Sequence, residues 1–401
     1  MKILFLDQSG KLGGAELSLS DVAKFYQDKC TVGLFADGDF RELLERQKIP
    51  VKILSDRAIK VKKNSNLLSS LASISTIVPL ILKVARLAKK YDIIYANTQK
   101  ALVIGALASI ISGRPLVYHL RDMLCEEHFS AINRRIAVIL ANRRASLVIA
   151  NSQATKSAFI AAGGRGDITK VVYNGFDPQK YNDVVDRRES LRKELGLEGK
   201  YVVGHFSRLA PWKGQHILIE ALQYCPEDVS VILVGDALFG EKEYVEQLRS
   251  QVSKLGLEKR VHFLGFCLDV LPYMQASDLI AHTSIAPEPF GRVIIEAMLA
   301  GRPVIGAKAG GVLELIEPEK TGLLVTPGDS QELANAIATC YRQPDLTKKM
   351  AERAKFYARS TFHLSHTNRQ INSLLKHLYG DKTVQKTGYF SLNLLSQRSE
   401  N

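Results

Sequence analysis

Short runs of β-branched and aliphatic residues recur along the chain, separated by longer stretches in which apolar positions fall three and four apart. In the first half the runs lie at residues 3–6, 31–35, 93–96, 116–119 and 147–150. In the second half they lie at 202–206, 229–234, 262–264, 279–282, 303–305 and 323–325. Uninterrupted apolar runs of this length, bounded by turn-forming residues, read as fully buried strands, and the spaced stretches between them read as helices. Strand–helix alternation predicts parallel sheets with helices on both faces, so the fold class is α/β, with two doubly wound units in series. Ligands of such sheets sit at the carboxyl ends of the strands, and two units predict a cleft between them.

The length of 401 residues exceeds what one core organises and fits two domains. The first boundary is expected near Val172-Tyr173-Asn174-Gly175-Phe176-Asp177-Pro178, where a strand runs into a turn-forming Asn-Gly and a proline. This gives a domain over 1–178, a second over 179–380 whose last part, about 330–378, is helical, and a polar, weakly patterned tail over 381–401. Residues 64–82 carry no charge and are followed by Lys83, Arg86, Lys89 and Lys90. The serines of the stretch make it polar for a membrane span and Pro79 is expected to interrupt it, which puts a packed helix first, a helix on a membrane surface next and a span last.

Charge sharpens the asymmetry. Residues 1–180 hold 27 Lys and Arg against 15 Asp and Glu, about +12 of the total of +13. A one-sided positive field suits an anionic partner such as a membrane surface or a phosphorylated acceptor, although a solvated basic face also explains it. The basic segments lack interleaved aromatics, so no nucleic-acid partner is expected. The five cysteines, Cys30, Cys125, Cys225, Cys267 and Cys340, are scattered without metal-like spacing and read as free thiols of a reducing compartment. The first apolar run is too short for a signal peptide. The expected location is cytoplasmic, with peripheral attachment to the inner face of the membrane as the possibility the uncharged stretch opens.

Candidate chemistry concentrates in Glu288-Pro289-Phe290-Gly291-Arg292-Val293-Ile294-Ile295-Glu296. Glu288 falls on a loop and Glu296 inside the helix that follows, while the peptide N–H groups of Phe290, Gly291, Arg292 and Val293 open that helix toward any nearby anion. Arg208 and Lys213 follow the strand at 202–206, where a guanidinium fork and an ammonium can share a diphosphate. Gly13-Gly14 follows the first strand, where missing side chains let backbone amides approach a phosphate. His119 ends a strand just before Arg121-Asp122. Each has an ordinary alternative: a solvated basic pair, a tight turn, a helix-surface glutamate, a satisfied structural histidine. The histidines show no ligand spacing, so no metal and no other cofactor is expected.

From residue 1 to about 378 this ordered set resembles the retaining glycosyltransferases of family 4. It comprises Gly13-Gly14-Ala15-Glu16, Asn174-Gly175, Arg208-Leu209 with Lys213-Gly214, the Glu288/Glu296 pair and Gly310-Gly311. The resemblance implies the GT-B fold, two Rossmann-like domains facing a cleft, the first for the acceptor and the second for a nucleotide sugar. It implies donor contacts at Gly13, Gly14, Arg208, Lys213, Glu288, Phe290, Gly291, Arg292, Val293 and Glu296. Arg208 and Lys213 would meet the departing diphosphate, Glu296 the ribose hydroxyls and Glu288 the donor-sugar hydroxyls. His119 and Glu288 would be the catalytic pair, with a metal-independent transfer that retains configuration by front-face attack. The surrounding His-x-x-Asp departs from the family's adjacent His-Asp, which leaves Asp122 without an assigned role. The expected function is transfer of a sugar to an acceptor hydroxyl in polysaccharide or glycolipid assembly, the acceptor being lipid-linked or at a membrane surface. A sugar-nucleotide epimerase and an inactive nucleotide-sugar-binding protein are the rivals.

Overall fold

The computed structural model describes residues 1–55, 67–182, 187–237 and 241–395, with side chains described except over 67–76 and 381–395. The chain separates into two compact units, residues 1–175 with 365–401, and residues 176–364.

In the first unit strands and helices alternate along the chain as β1 (Ile3–Asp7), α1 (Gly14–Phe25), β2 (Cys30–Leu34), α2 (Asp39–Arg46), β3 (Val51–Ile53), α3 (Leu67–Ala88) and β4 (Ile93–Ala96). The series continues with α4 (Gln99–Ser112), β5 (Leu116–Leu120), α5 (Ala131–Arg144), β6 (Ala145–Ala150), α6 (Gln153–Ala161) and β7 (Thr169–Val171). The seven strands form one sheet in the order β3-β2-β1-β4-β5-β6-β7, every pair parallel. The order reverses between β1 and β4, so the loops leaving these two strands open at the switch point, where doubly wound sheets take their ligands. Strands β3 and β7 give no apolar run in the sequence because Lys52 and Lys170 stand at their centres.

The second unit contains α7 (Arg188–Glu194), β8 (Tyr201–Phe206), α8 (Gln215–Ala221), β9 (Val229–Val234), α9 (Lys242–Lys254), β10 (Val261–Gly265) and α10 (Leu271–Ala276). It goes on with β11 (Leu279–His282), α11 (Arg292–Leu299), β12 (Val304–Ala307), β13 (Leu323–Val325), α12 (Ser330–Arg342) and α13 (Pro344–Thr361). Its sheet, order β10-β9-β8-β11-β12-β13, is again all parallel and reverses between β8 and β11. Buried Val203, Val231, Leu233 and Leu279 of the strands pack with Leu218 and Leu248 of the helices, which explains why these strands read as unbroken apolar runs.

Three expectations need correction. The division falls at Gly175/Phe176, and α14 (Leu364–Leu395) belongs to the first unit from Ser365 onward, not to the second domain as the boundary at 179–380 implied. The cause is packing: Ile371 and Leu375 are fully buried with Ile3, Phe5 and Leu19 of the first unit. Burial of two such side chains contributes about 1.5–3 kcal/mol each. The tail expected over 381–401 continues as helix through Leu395, and residues 396–401 lie outside the described residues. Pro79 does not interrupt the uncharged stretch but sits inside α3 on its exposed side, where water can replace the hydrogen bond it does not make. Leu80, Ile81, Val84, Ala85 and Ala88 bury the later part of α3 as a packed helix, whereas 64–66 lie outside the described residues. Among the described residues no helix is long and apolar enough to cross a membrane.

Candidate active site

At the switch point of the second unit, β8 delivers Arg208 and Lys213, and β11 delivers the loop that carries Glu288. The two loops touch through their backbones. Gly214 has φ +71°, and a Cβ there would lie 2.0 Å from the Thr283 carbonyl oxygen, so only glycine permits the approach. The Thr283 hydroxyl lies 2.9 Å from the carbonyl oxygens of both Lys213 and Gly214, tying the lysine turn to the strand end. On the other flank the Gly311 N–H donates to the Glu288 carbonyl at 2.7 Å.

Three groups converge on one oxygen of Glu288. Lys213 Nζ lies 2.7 Å from Oε2, the Ser284 hydroxyl 3.0 Å and His282 Nε2 3.2 Å. The side chain is only 12% exposed. Burial alone would raise its pKa, but the Lys213 charge and the His282 hydrogen bond outweigh it and hold the carboxyl well below the usual carboxylate range. The carboxylate is therefore ionised, and Oε1 has no hydrogen-bond partner among the described residues. Behind it His205 is buried, and burial followed by the neighbouring His282 and Lys213 pushes its pKa down to about 3. A neutral His205 donates from Nε2 to the Thr283 hydroxyl at 3.0 Å.

Trp212 lies beside both cations, its ring centroid 4.0 Å from Lys213 Nζ and 6.0 Å from the Arg208 guanidinium carbon. Arg208 Nε also stands 3.3 Å from Glu241 Oε2. One turn into α11, Glu296 Oε1 is 3.2 Å from Arg292 Nη2, and the guanidinium of Arg292 lies 4.6 Å from the Phe176 ring centroid. Phe176 in turn stacks on buried Phe290 at 6.4 Å, with the planes 18° apart. Gly291, at φ +95°, caps α11, and Val293 follows as its second residue. The second unit thus joins Lys213 to Glu288 and Arg292 to Glu296, with Arg208 sharing the Trp212 neighbourhood.

The other named residues belong to the first unit. Gly13 caps α1, which begins at Gly14 rather than near Glu16. Glu16 is buried beside them, and burial together with the Asp7 charge raises its carboxyl to about 8. Asp7, at the end of β1, is raised to about 6 by burial, against the hydrogen bond it accepts from Asn97 at 2.7 Å. Arg121 donates to Asn97 at 2.9 Å and to Asn174 at 2.6 Å. His119 is buried on β5, and its Nδ1 meets the Tyr95 hydroxyl. Burial, then the charge of Arg121, keeps its imidazole neutral.

Sequence reasoning missed His282, Ser284, Trp212 and Tyr95. His282 could have been found: it is the polar last residue of an otherwise apolar strand, opening toward the carboxyl edge. Tyr95 gave no signal beyond that of a core aromatic. Among the described residues no group of three or more His, Cys, Asp or Glu stands close enough to hold a metal ion.

The chain resembles known proteins along most of its length. The model for glycosyl transferases group 1 matches residues 186–356, and that for glycosyltransferase family 4 matches residues 12–180. The chain is 57% identical to Anabaena Alr3699/HepE, whose crystal structure in complex with UDP-glucose superposes with a TM-score of 0.88 over 94% of this chain and 100% of that one. Spore coat protein SA of Bacillus subtilis (strain 168) is 33% identical over 210 residues, 48% of this chain and 55% of its own length. The D-inositol 3-phosphate glycosyltransferase of Corynebacterium glutamicum (strain R) is 32% identical over 227 residues, 54% of each chain. The chain spans about half the length of the curated relatives it matches.

Proposed function

This chain belongs to the glycosyltransferases of family 4, with the GT-B fold, and we propose that it moves a hexose from a nucleoside diphosphate sugar to an acceptor hydroxyl with retention at the anomeric carbon. The observation that carries the reading is the ionised Glu288, clamped by Lys213, His282 and Ser284 at a switch point and flanked by the start of α11. The 57% identity to a protein solved with UDP-glucose favours a UDP-sugar as donor.

Lys213 leaves Glu288 for the donor diphosphate and, with Arg208, neutralises the charge that grows there as the C1–O bond to phosphate breaks. The peptide N–H groups of residues 290–293 add the positive end of α11. Gly13 and Gly14 of the first unit leave room for backbone amides to approach a phosphate. Freed from the lysine, Glu288 accepts hydrogen bonds from sugar hydroxyls and stabilises positive charge at C1, while Glu296 receives the ribose hydroxyls. The acceptor oxygen bonds to C1 on the face the phosphate leaves, and the acceptor proton passes to the leaving phosphate oxygen. His119 contacts the donor sugar as a neutral group. No metal is required, because cationic side chains and a helix terminus supply the electrostatic stabilisation.

The acceptor is lipid-linked or presented at a membrane surface, as in polysaccharide or glycolipid assembly. Support comes from α5, where Ile132, Ile136 and Ile139 fall on one face and are 71%, 44% and 39% exposed, beside exposed Arg135, Arg143 and Arg144. A thermal-shift panel of UDP, GDP, ADP and their sugar conjugates tests the donor site. A shift selective for one base and lost in Glu296→Ala is the expected result. Absence of a shift with every nucleotide overturns the transferase reading.

A further inference from the structure

Tyr95 and His119 sit on adjacent strands and share one face of the first sheet. Tyr95 pairs in register with Val117, so His119, two residues on, projects to the same side. Both side chains are buried, at 0% and 1% exposure. The Tyr95 hydroxyl bonds to His119 Nδ1, while His119 Nε2 is buried without a hydrogen-bond partner among the described residues. Phe5 packs its ring edgewise on Tyr95 at 4.9 Å and holds the phenol from behind.

The proton between the two groups has a preferred owner. A phenol is a stronger acid than a neutral imidazole N–H, and an imidazole nitrogen is a stronger base than a phenol oxygen, so O–H donating to Nδ1 is the better of the two arrangements. With Nδ1 occupied as an acceptor, the neutral ring must carry its proton on Nε2.

We infer that Tyr95 is the positioning residue of His119, fixing its Nε2–H tautomer so that the orphaned nitrogen is a hydrogen-bond donor waiting for an oxygen of the sugar substrate. The inference rests on the transferase reading for the identity of that oxygen and on the strand geometry alone for the tautomer. A buried donor without a protein partner is retained where a ligand supplies the acceptor. Tyr95 itself touches no substrate; it acts through the ring it holds.

The test uses the full chain with isotopically labelled histidine nitrogens and long-range proton–nitrogen correlation spectra. The wild type is expected to show His119 protonated on Nε2, and Tyr95→Phe, which keeps the ring and its packing on Phe5, to lose that single tautomer. With donor and acceptor, Tyr95→Phe should lower kcat by about tenfold or more at unchanged donor KM. In a His119→Gln background, where an amide donor replaces Nε2–H and has no tautomer to fix, adding Tyr95→Phe should change kcat by less than about twofold. A proton on Nδ1 in the wild type overturns the inference even if the variant does not fold. So does a Tyr95→Phe protein with an unchanged tautomer or an unchanged kcat. If no turnover is found for the wild type, the transferase reading fails and the spectra alone still decide whether Tyr95 sets the tautomer.

Discussion

Lys213 and Glu288, 75 residues apart in sequence, meet at 2.7 Å, so the cation expected to take a diphosphate neutralises the carboxylate expected to take sugar hydroxyls. Neither charge is left uncompensated in the low-dielectric loop before a ligand arrives. Donor binding on this reading is an exchange of partners, which lets the site keep two buried charges without a standing electrostatic penalty.

Lys213→Ala should therefore weaken the fold as well as the chemistry. It leaves an ionised carboxylate with only His282 and Ser284, and loss of one member of a buried pair costs about 3 kcal/mol. Urea unfolding of the variant should show a lowered midpoint, and kcat should fall strongly. Adding Glu288→Gln should restore the midpoint and not the turnover. If Lys213→Ala unfolds like the wild type, the pair has no structural weight.

The same pair sets an acid limit. The folded pKa of Glu288 lies well below its ordinary value of 4.5, so the unfolded chain binds the proton first as pH falls. Stability from this group is full above about pH 4.5 and is lost as pH drops toward the folded pKa. Thermal melts of Glu288→Gln should decline less steeply with acid than those of the wild type over that range; parallel curves would refute the assignment.

Glu16 acts in the opposite direction. Its carboxyl is raised from 4.5 to about 8, so between these values the folded state holds a proton that the unfolded chain has released. Stability on its account falls as pH rises through that window. Glu16→Gln, a neutral stand-in for the protonated acid, should be relatively more stable at pH 8 than at pH 5 when each is compared with the wild type. An equal difference at both ends would show that the group is already ionised at the lower pH.

The sheets were legible because each central strand is buried on both faces and so appears as an apolar run. The doubly wound order followed from alternation, and the loops after β8 and β11 could be named before their geometry was known. Strands β3 and β7 carry Lys52 and Lys170 at their centres and so show no apolar run. The allegiance of α14 was hidden for a different reason: Ile371 and Leu375 mark an apolar helix face, but nothing local says which sheet it covers. The Lys213–Glu288 contact and the Tyr95–His119 pair are tertiary and leave no spacing to read. Motif resemblance named three of those four residues, and only the fold supplied Tyr95.

Gly310 tests how strictly the Glu288 loop is held. It has φ +62°, and a Cβ would stand 2.3 Å from the Glu288 carbonyl oxygen. Gly328, at φ +84°, has nothing within 4 Å of its would-be Cβ. Gly328→Ala should lose only the left-handed strain, about 1–2 kcal/mol. Gly310→Ala adds a backbone clash and should lose more, together with the nucleotide-dependent thermal shift. Equal losses in the two variants would mean that the loop yields freely and that its glycine is not required.

The exposed stripe of α5 should decide where the acceptor is met. Ile132, Ile136, Ile139 and Arg143 follow one another at helical spacing along the face opposite buried Ala137, Val138 and Ala141. An anionic surface attracts each nearby cationic side chain by roughly 1 kcal/mol, and the isoleucines add apolar insertion. The wild type should float with vesicles rich in anionic lipid at low salt and release at high salt, as screening shortens the reach of the arginines. Ile132→Glu with Ile136→Glu should abolish flotation while leaving the nucleotide-dependent thermal shift intact, since the stripe belongs to the first unit and Glu288 and Glu296 to the second. A wild type that stays with the pellet under every condition points to a soluble acceptor and leaves the stripe without a membrane role.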